Sequence, residues 1–158
     1  MQIQFTSTPP SDIRLHARVV NHGAALTGLD AALVEGAAAS RFTGRAGQVF
    51  EGFTGTGGAV KRIALAGLGE ADSAERRHHC ERAGAALTAK YLVSGESAMV
   101  LDLSHAGLSA DQAAAVLLGL RLRAWRHDTY RTRLAADKRP SLATVHVTGA
   151  PEGTEAAW

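Results

Sequence analysis

The sequence is poor in several of the features that would assign a protein class at once. It has one cysteine, Cys80, in 158 residues. No internal disulfide can form, and a small disulfide-stapled secreted scaffold is excluded. No apolar run reaches the roughly 18 residues that a membrane span needs. The N-terminus, Met1-Gln2-Ile3-Gln4-Phe5, has neither a basic leader nor a long apolar stretch, so it does not read as a signal peptide. A reducing, cytoplasmic setting without membrane contact is the expectation. Internal repeats are absent, and alanine richness is the only compositional bias. Excess charge is also missing, because the formal net charge is only +2.

What remains is ordinary globular material. The chain is 46% hydrophobic and 20% charged, enough to bury a core in about one domain's length. The charge is unevenly spread. Residues 121–139 carry seven Lys/Arg against two acids, which leaves the rest of the chain net acidic. Arginine outnumbers lysine 14 to 3 and alanine makes up about a fifth of the residues, a bias typical of GC-rich bacterial genomes.

Periodicity predicts six strands and three helices. Gln2–Thr6 and Ile13–Val19 alternate apolar and polar residues, as strands with one wet face do. Pro9-Pro10-Ser11-Asp12 marks the turn between them. Thr27 is the expected cap of a first helix, with Asp30 in its first turn and Leu26, Leu29, Leu33 and Ala37 at helical spacing. Phe42 to Gly47 ends it. Gln48–Phe53 and Val60–Ala66 follow as strands around the turn Gly55-Thr56-Gly57-Gly58. The second of these ends in the continuously apolar Ile63-Ala64-Leu65-Ala66, the mark of a strand covered on both faces.

Asp72 and Glu75 have capping-box spacing ahead of a second helix, whose stripe is Cys80, Ala83, Leu87 and Tyr91. Ala98–Leu103 is a buried strand. Ser109 and Gln112 form a second capping box, opening a helix with Ala113, Val116, Leu117, Leu120 and Ala124 inward and Arg121, Arg123 and Arg126 elsewhere. A basic loop runs to Pro140, Leu142–Thr148 is the last strand, and Gly149–Trp158 reads as the start of a linker. The order β-β-α-β-β-α-β-α-β implies an α/β fold, a three-layer α/β/α sandwich on a mixed, mostly parallel six-stranded sheet. The alternating first, second and last strands suggest antiparallel or edge positions.

Candidate chemistry is sparse. His78-His79-Cys80-Glu81 offers metal-ligand residue types, but consecutive helical residues fan around the axis, and Cys80 falls on the apolar stripe. Gly67-Leu68-Gly69-Glu70 follows a buried strand and precedes a helix, where an anion could bind. However, Asp72 stands where a dinucleotide fingerprint needs its third glycine. Gly55 to Lys61 lies between two strands, whereas a phosphate-binding Walker loop must open a helix. The stretch Arg121 to Arg139, with Trp125 and Tyr130 interleaved, could meet nucleic-acid phosphates or form a solvated or contact surface. Asp102 ends a central strand, where α/β proteins place functional groups or turn caps. His16, His22, His105, His127 and His146 are scattered. No catalytic, cofactor-binding or metal-binding set emerges from the residues.

Four segments in order do resemble a known family. They are Phe42-Thr43-Gly44-Arg45-Ala46-Gly47-Gln48, Lys61-Arg62-Ile63-Ala64-Leu65-Ala66-Gly67-Leu68-Gly69, Ala114-Ala115-Val116-Leu117-Leu118-Gly119 running on to Arg133, and Lys138-Arg139-Pro140-Ser141-Leu142. Together they are similar to the N-terminal domain of the cytosolic leucyl aminopeptidases, or cytosol aminopeptidases. The family's aromatic-rich closing segment is matched by Trp125-Arg126-His127-Asp128-Thr129-Tyr130-Arg131-Thr132, in which Trp125 and His127 depart from the usual aromatics.

The resemblance implies a macro-domain-like fold over residues 1–148, with an interdomain linker starting in 149–158. It implies a parent hydrolase that releases N-terminal amino acids from peptides with two divalent metals, Zn or Mn. Those metals belong to a C-terminal catalytic domain whose motifs have no match here. The chain is then a non-catalytic lobe expected to act in homohexamer assembly and active-site access, with its own catalytic domain as partner. The alternatives are a macro-like module for ADP-ribose or another nucleotide, and a nucleic-acid-binding domain.

Overall fold

The computed structural model describes residues 1–125 and 135–158. Six strands form one sheet: β1 (Gln2–Phe5), β2 (Leu15–Val20), β3 (Val49–Thr56), β4 (Ala59–Gly67), β5 (Ala98–Asp102) and β6 (Thr144–Thr148). The helices are α1 (Ala31–Ala39), α2 (Arg76–Tyr91), α3 (Ala110–Ala124) and a short α4 (Thr154–Ala157). A 3-10 turn spans Ala136–Lys138. The order across the sheet is β1-β6-β5-β2-β4-β3. All neighbours are parallel except β3, which pairs antiparallel with β4.

The expected sandwich is present, and its two faces differ. Leu15, Ala17 and Val19 of β2, Ala64 and Ala66 of β4, Met99 and Leu101 of β5, and Val145 and Val147 of β6 point to one side. There they pack with Cys80, Ala83, Leu87 and Tyr91 of α2 and Ala113, Val116, Leu117 and Leu120 of α3 in the main core. On the other side Leu33 and Ala37 of α1 close a smaller core over Val20, Phe50 and Leu65. That second layer covers only the β2-β4-β3 part of the sheet.

This asymmetry explains an expectation that the structure corrects. The alternation of β2 and β6 suggested edge or antiparallel positions, yet both lie inside the sheet and are parallel to their neighbours. Their polar residues, such as His16 and His146, stand on the α1 side of the sheet, in the part that α1 does not reach. The antiparallel edge is β3; β1, also alternating, is an edge but parallel.

Two helix starts differ from those expected. The first helix begins at Ala31, not after Thr27: the Asp30 carboxylate accepts from Ala32 N at 2.9 Å, while the Thr27 carbonyl is taken by Arg18 Nη1 at 2.7 Å. The second begins at Arg76, with Glu75 at the N-cap and no side-chain cap bond, so Asp72 does not form the expected box. Only the Ser109–Gln112 box forms as read, each side chain bonding the other residue's backbone N–H.

Strand ends shift as well. The β3–β4 hairpin is tighter than the glycine run suggests, since Thr56 pairs with Ala59 across the two-residue turn Gly57-Gly58. Both glycines have positive φ, 61° and 86°, which a twist-matched hairpin turn requires. The last strand starts at Thr144, with Leu142 buried just ahead of it. Ala124 is half-buried at the end of α3.

Two helices meet at unusually short range. A Cβ on Gly84 of α2 would collide with the Val116 backbone of α3, and one on Gly119 of α3 with the Glu81 backbone of α2. Reciprocal glycines let the two backbones touch. The Thr88 hydroxyl then donates to the Leu120 carbonyl at 3.0 Å across the same seam.

Candidate functional site

In an open α/β sheet the natural place for a ligand is the crevice at the carboxyl ends of the strands, where adjacent strands lead to helices on opposite faces. Here β2 leads to α1 on one face, while β4 and β5 lead to α2 and α3 on the other. The loops after β2, β4 and β5 therefore hold the candidate site.

The loop after β4 is Gly67-Leu68-Gly69-Glu70, one of the sequence candidates for an anion. Its backbone donors are already committed. Gly67 N–H donates to the Gln48 carbonyl at 2.8 Å, Leu68 N–H to the Val20 carbonyl at 2.8 Å, and Gly69 N–H to the Gly44 carbonyl at 2.9 Å. A phosphate cradle needs such groups free. The segment instead interlocks with the turn Thr43–Gly47. The Gln48 side chain fastens that turn, accepting from Thr43 N at 3.0 Å and Arg45 N at 3.3 Å and donating to the Arg41 carbonyl at 2.9 Å. The two glycine-rich motifs that carry the family resemblance are thus two halves of one clasp.

The clasp is held from below by Arg76, which periodicity did not single out. Its side chain is buried at 6% exposure. It donates to the carbonyls of Leu68 at 3.1 Å and of Gly69 and Glu70 at 3.4 Å, and to the Asn21 side-chain oxygen. Asn21 in turn donates to the Ala106 carbonyl at 3.1 Å. One guanidinium so ties together the loops after β2, β4 and β5. A signal existed: Arg76 lies four residues before Cys80, on the continuation of the buried stripe.

The crevice between β2 and β5 is small. A cavity of about 30 Å³ is lined by Arg18, Asn21, the loop Ala24–Thr27 and His105, room for little more than a water or two. Asp102 is a turn organiser: one oxygen accepts from Ser104 N at 2.9 Å and Ser104 Oγ at 2.6 Å, while the other faces His105 Nε2 at 3.2 Å and Arg18 Nε at 3.9 Å. The serine, histidine and aspartate here do not form a nucleophile–base relay, because Ser104 and His105 both contact the carboxylate and not each other. A neighbouring pocket of about 160 Å³ opens over β2 and β5, lined by His16, Arg18, Leu29, Ile63, Val100 and Asp102; both spaces fall below the roughly 300 Å³ of ordinary ligand sites.

The other sequence candidates separate. Cys80 is fully buried, and burial pushes its thiol pKa up. Arg77 pairs with Glu81 at 2.8 Å on the helix surface, and His79 faces Glu75 at 3.5 Å. His16 bonds the Ile13 carbonyl at 3.0 Å, and His22 faces Glu70 beside the clasp. Among the described residues no three His, Cys, Asp or Glu side chains converge as a metal-ion donor set. The two metals implied by the resemblance therefore find no matching residues here, and no chemistry is assigned through them. Of the basic stretch, Arg121 stacks over Trp158 with its guanidinium carbon 5.7 Å from the ring centre, and Arg123 is exposed. Residues 126–134, including Asp128, Tyr130 and Thr132, lie outside the described residues.

A second polar cluster, also missed by periodicity, sits at the opposite end of the sheet. Arg62 faces Glu51 at 3.1 Å and Glu96 at 3.8 Å; Arg14 reaches Glu96 at 3.4 Å and Lys90 reaches Glu51 at 3.8 Å. Arg62 lies between the rings of Phe53 and Tyr91, 5.5 and 5.6 Å from their centres. Burial first, and then the Glu51 carboxylate, raise the Tyr91 pKa, so its hydroxyl stays protonated. The network pins β2, β3, β4, α2 and the start of β5 together.

A model of the N-terminal domain of the cytosol aminopeptidase family matches residues 17–134. A probable cytosol aminopeptidase of Caulobacter vibrioides is 34% identical over 119 residues, covering 75% of this chain and 23% of the relative. One of Xanthobacter autotrophicus is 29% identical over 133 residues, covering 84% and 27%. Among solved structures, the bottromycin maturation enzyme BotP in complex with Mn superposes with a TM-score of 0.66 at 29% identity, over 92% of this chain and 28% of that one. A mutant tomato leucine aminopeptidase gives 0.68 at 19% identity, over 99% and 34%, a likeness of fold. The chain spans about a quarter of the length of the two bacterial relatives.

Proposed function

Because this chain belongs to the cytosol aminopeptidase family, as its N-terminal domain, we propose that it is a non-catalytic lobe that works beside a separate catalytic domain. In this reading the parent protein is a hydrolase of the cytoplasm that releases N-terminal amino acids from peptides. The two divalent metals, Zn or Mn, are held by the catalytic domain, where they supply an activated water and polarise the scissile carbonyl. The lobe contributes to assembly of a homohexamer and to the walls of the access route.

One observation carries this reading. The crevice where an α/β domain would place its chemistry is filled by its own fastenings: the Gly67–Gly69 amides are spent on the clasp, and Arg76 and Asp102 are spent on loops. The test is turnover of a leucyl chromogenic substrate by the purified chain with added Mn²⁺ or Zn²⁺. The expected rate is that of the metal alone. Turnover that rises with chain concentration and disappears on denaturation overturns the proposal.

A further inference from the structure

The sheet ends in two edges of very different character. The β1 edge is four residues long and is followed by Pro9-Pro10. The β3 edge is eight residues long, Val49–Thr56, with no proline and no lysine. Folded proteins ordinarily blunt long edges with such residues, because unpaired main-chain groups invite another strand. On β3 nothing of that kind is present.

The phase of the hairpin shows which groups are free. Thr56 and Ala59 close a two-residue turn, so they form a hydrogen-bonded pair, and such pairs recur at every second residue. Thr54, Gly52 and Phe50 therefore bond β4. The Gly67 N–H to Gln48 carbonyl bond continues that series. The main-chain groups of Glu51, Phe53 and Gly55 consequently point away from the sheet. At the same place two apolar side chains meet water, Phe53 at 59% exposure and Val60 at 57%. Both stand on the α2 face of the hairpin, beyond the end of that helix.

We propose that β3 pairs antiparallel with β3 of a second copy of this chain, about a two-fold axis through Phe53, joining two six-stranded sheets into one. An antiparallel strand is its own partner under two-fold symmetry, and each exposed N–H meets an exposed carbonyl. The aromatic ring selects the register, and charge excludes one alternative. With Phe53 opposite Phe53, Glu51 of each copy faces Gly55 of the other, and no like charges are opposed. A shift of one residue toward the strand start in each copy, to a centre at Gly52, sets Glu51 against Phe53. A further shift sets Glu51 against Glu51, which is repulsive. In the Phe53 register the two rings pair across the axis. Each is already flanked by its own Arg62, whose charge is met by Glu51 at 3.1 Å and Glu96 at 3.8 Å. The cations on the two sides therefore do not oppose docking.

This inference does not depend on the catalytic reading and is tested apart from it. Sedimentation velocity over a concentration series of the purified full chain is expected to show a concentration-dependent association. Hydrogen exchange is expected to slow at the amides of Glu51, Phe53 and Gly55 as concentration rises, and not at β1. Phe53→Lys places two ammonium groups at the axis and removes the aromatic pair. The expected weakening of association is about tenfold or more, with the far-ultraviolet circular dichroism of the dilute chain unchanged, since Phe53 is exposed. Exchange at these amides that is independent of concentration in the wild-type chain overturns the proposal. So does a Phe53→Lys chain that associates as tightly as the wild type. If Phe53→Lys unfolds, Phe53→Ser, which removes the ring pair and adds no charge, keeps the test open: it must also weaken the association, and a Phe53→Ser chain that associates as tightly as the wild type overturns the proposal.

Discussion

Arg76 shows how much of this fold is decided by single side chains. A buried cation is tolerated only when its donors find acceptors, and here three loop carbonyls and Asn21 supply them. Arg76→Met keeps the aliphatic bulk and deletes the donors, so the acceptors of the clasp lose their partner in a dry setting. The expected loss is roughly 2–4 kcal/mol, read as a lower urea midpoint. An unchanged midpoint would mean that the interlocked Thr43–Gly47 and Gly67–Gly69 turns hold themselves.

His16 gives a second test at this scale. Burial lowers its pKa below the ordinary 6.5, Lys61 lowers it further, and its bond to the Ile13 carbonyl opposes both. The folded chain thus binds its proton less readily than the unfolded chain. As pH falls below about 6.5 the unfolded state takes up a proton first, and stability declines until the folded pKa is passed. His16→Gln should flatten that part of the curve while leaving stability at pH 8 nearly unchanged; denaturation midpoints at pH 8, 6.5 and 5 measure it. The stripe that contains Cys80 was readable because apolar residues at spacing three and four have one common explanation. Arg76 was not, since an arginine on the same stripe reads as solvent-facing until the carbonyls it serves are in view.

At the scale of elements, the helices carry glycines of opposite meaning. Glycine inside a helix costs about 1 kcal/mol relative to alanine when nothing else is involved. Gly36 in α1 is close to that case: a Cβ there would meet Phe50 Cζ at 3.5 Å, an ordinary contact. Gly84 in α2 is the reverse, because its Cβ would strike the Val116 backbone, which cannot rotate away as a side chain can. Gly36→Ala should therefore stabilise by about 0.5–1 kcal/mol, and Gly84→Ala should destabilise by about 3 kcal/mol or more as α2 and α3 are forced apart. Thermal melts of the two variants, run side by side, check both signs. If both stabilise, the close seam between the helices is wrong. The seam itself depends on where α3 crosses, which sets Gly84 against the Val116 backbone and Gly119 against the Glu81 backbone. Capping was legible where it was purely local, at Ser109 and Gln112. It was misread where a distant group intervened: Arg18 takes the Thr27 carbonyl, and the helix is capped one turn later, by Asp30.

At the scale of the molecule, element order was enough to give the layers but not the sheet order. Alternation along β2 correctly reported one wet face. It could not report that the wetness comes from the short reach of α1 and not from an edge position, since that depends on how far each helix covers the sheet. The same difficulty applies to residues 149–158, whose glycine, proline and glutamate content reads as linker. In the structure Gly153 leads into α4, which packs on α3; Thr154 is buried at 1% exposure and donates to the Pro151 carbonyl, and Trp158 lies against the main core and beneath Arg121. If these contacts are part of the domain's own stability, removing residues 149–158 should cost about 2 kcal/mol, the worth of a partly buried tryptophan and its neighbours. Urea unfolding of the truncated chain, beside Trp158→Ala alone, separates the possibilities. A shared decrease in midpoint assigns the segment to the folded body and moves the working boundary beyond Thr148. Equal midpoints for wild type, truncation and Trp158→Ala would return the segment to the role of a tether, free to set the distance between this lobe and a catalytic partner.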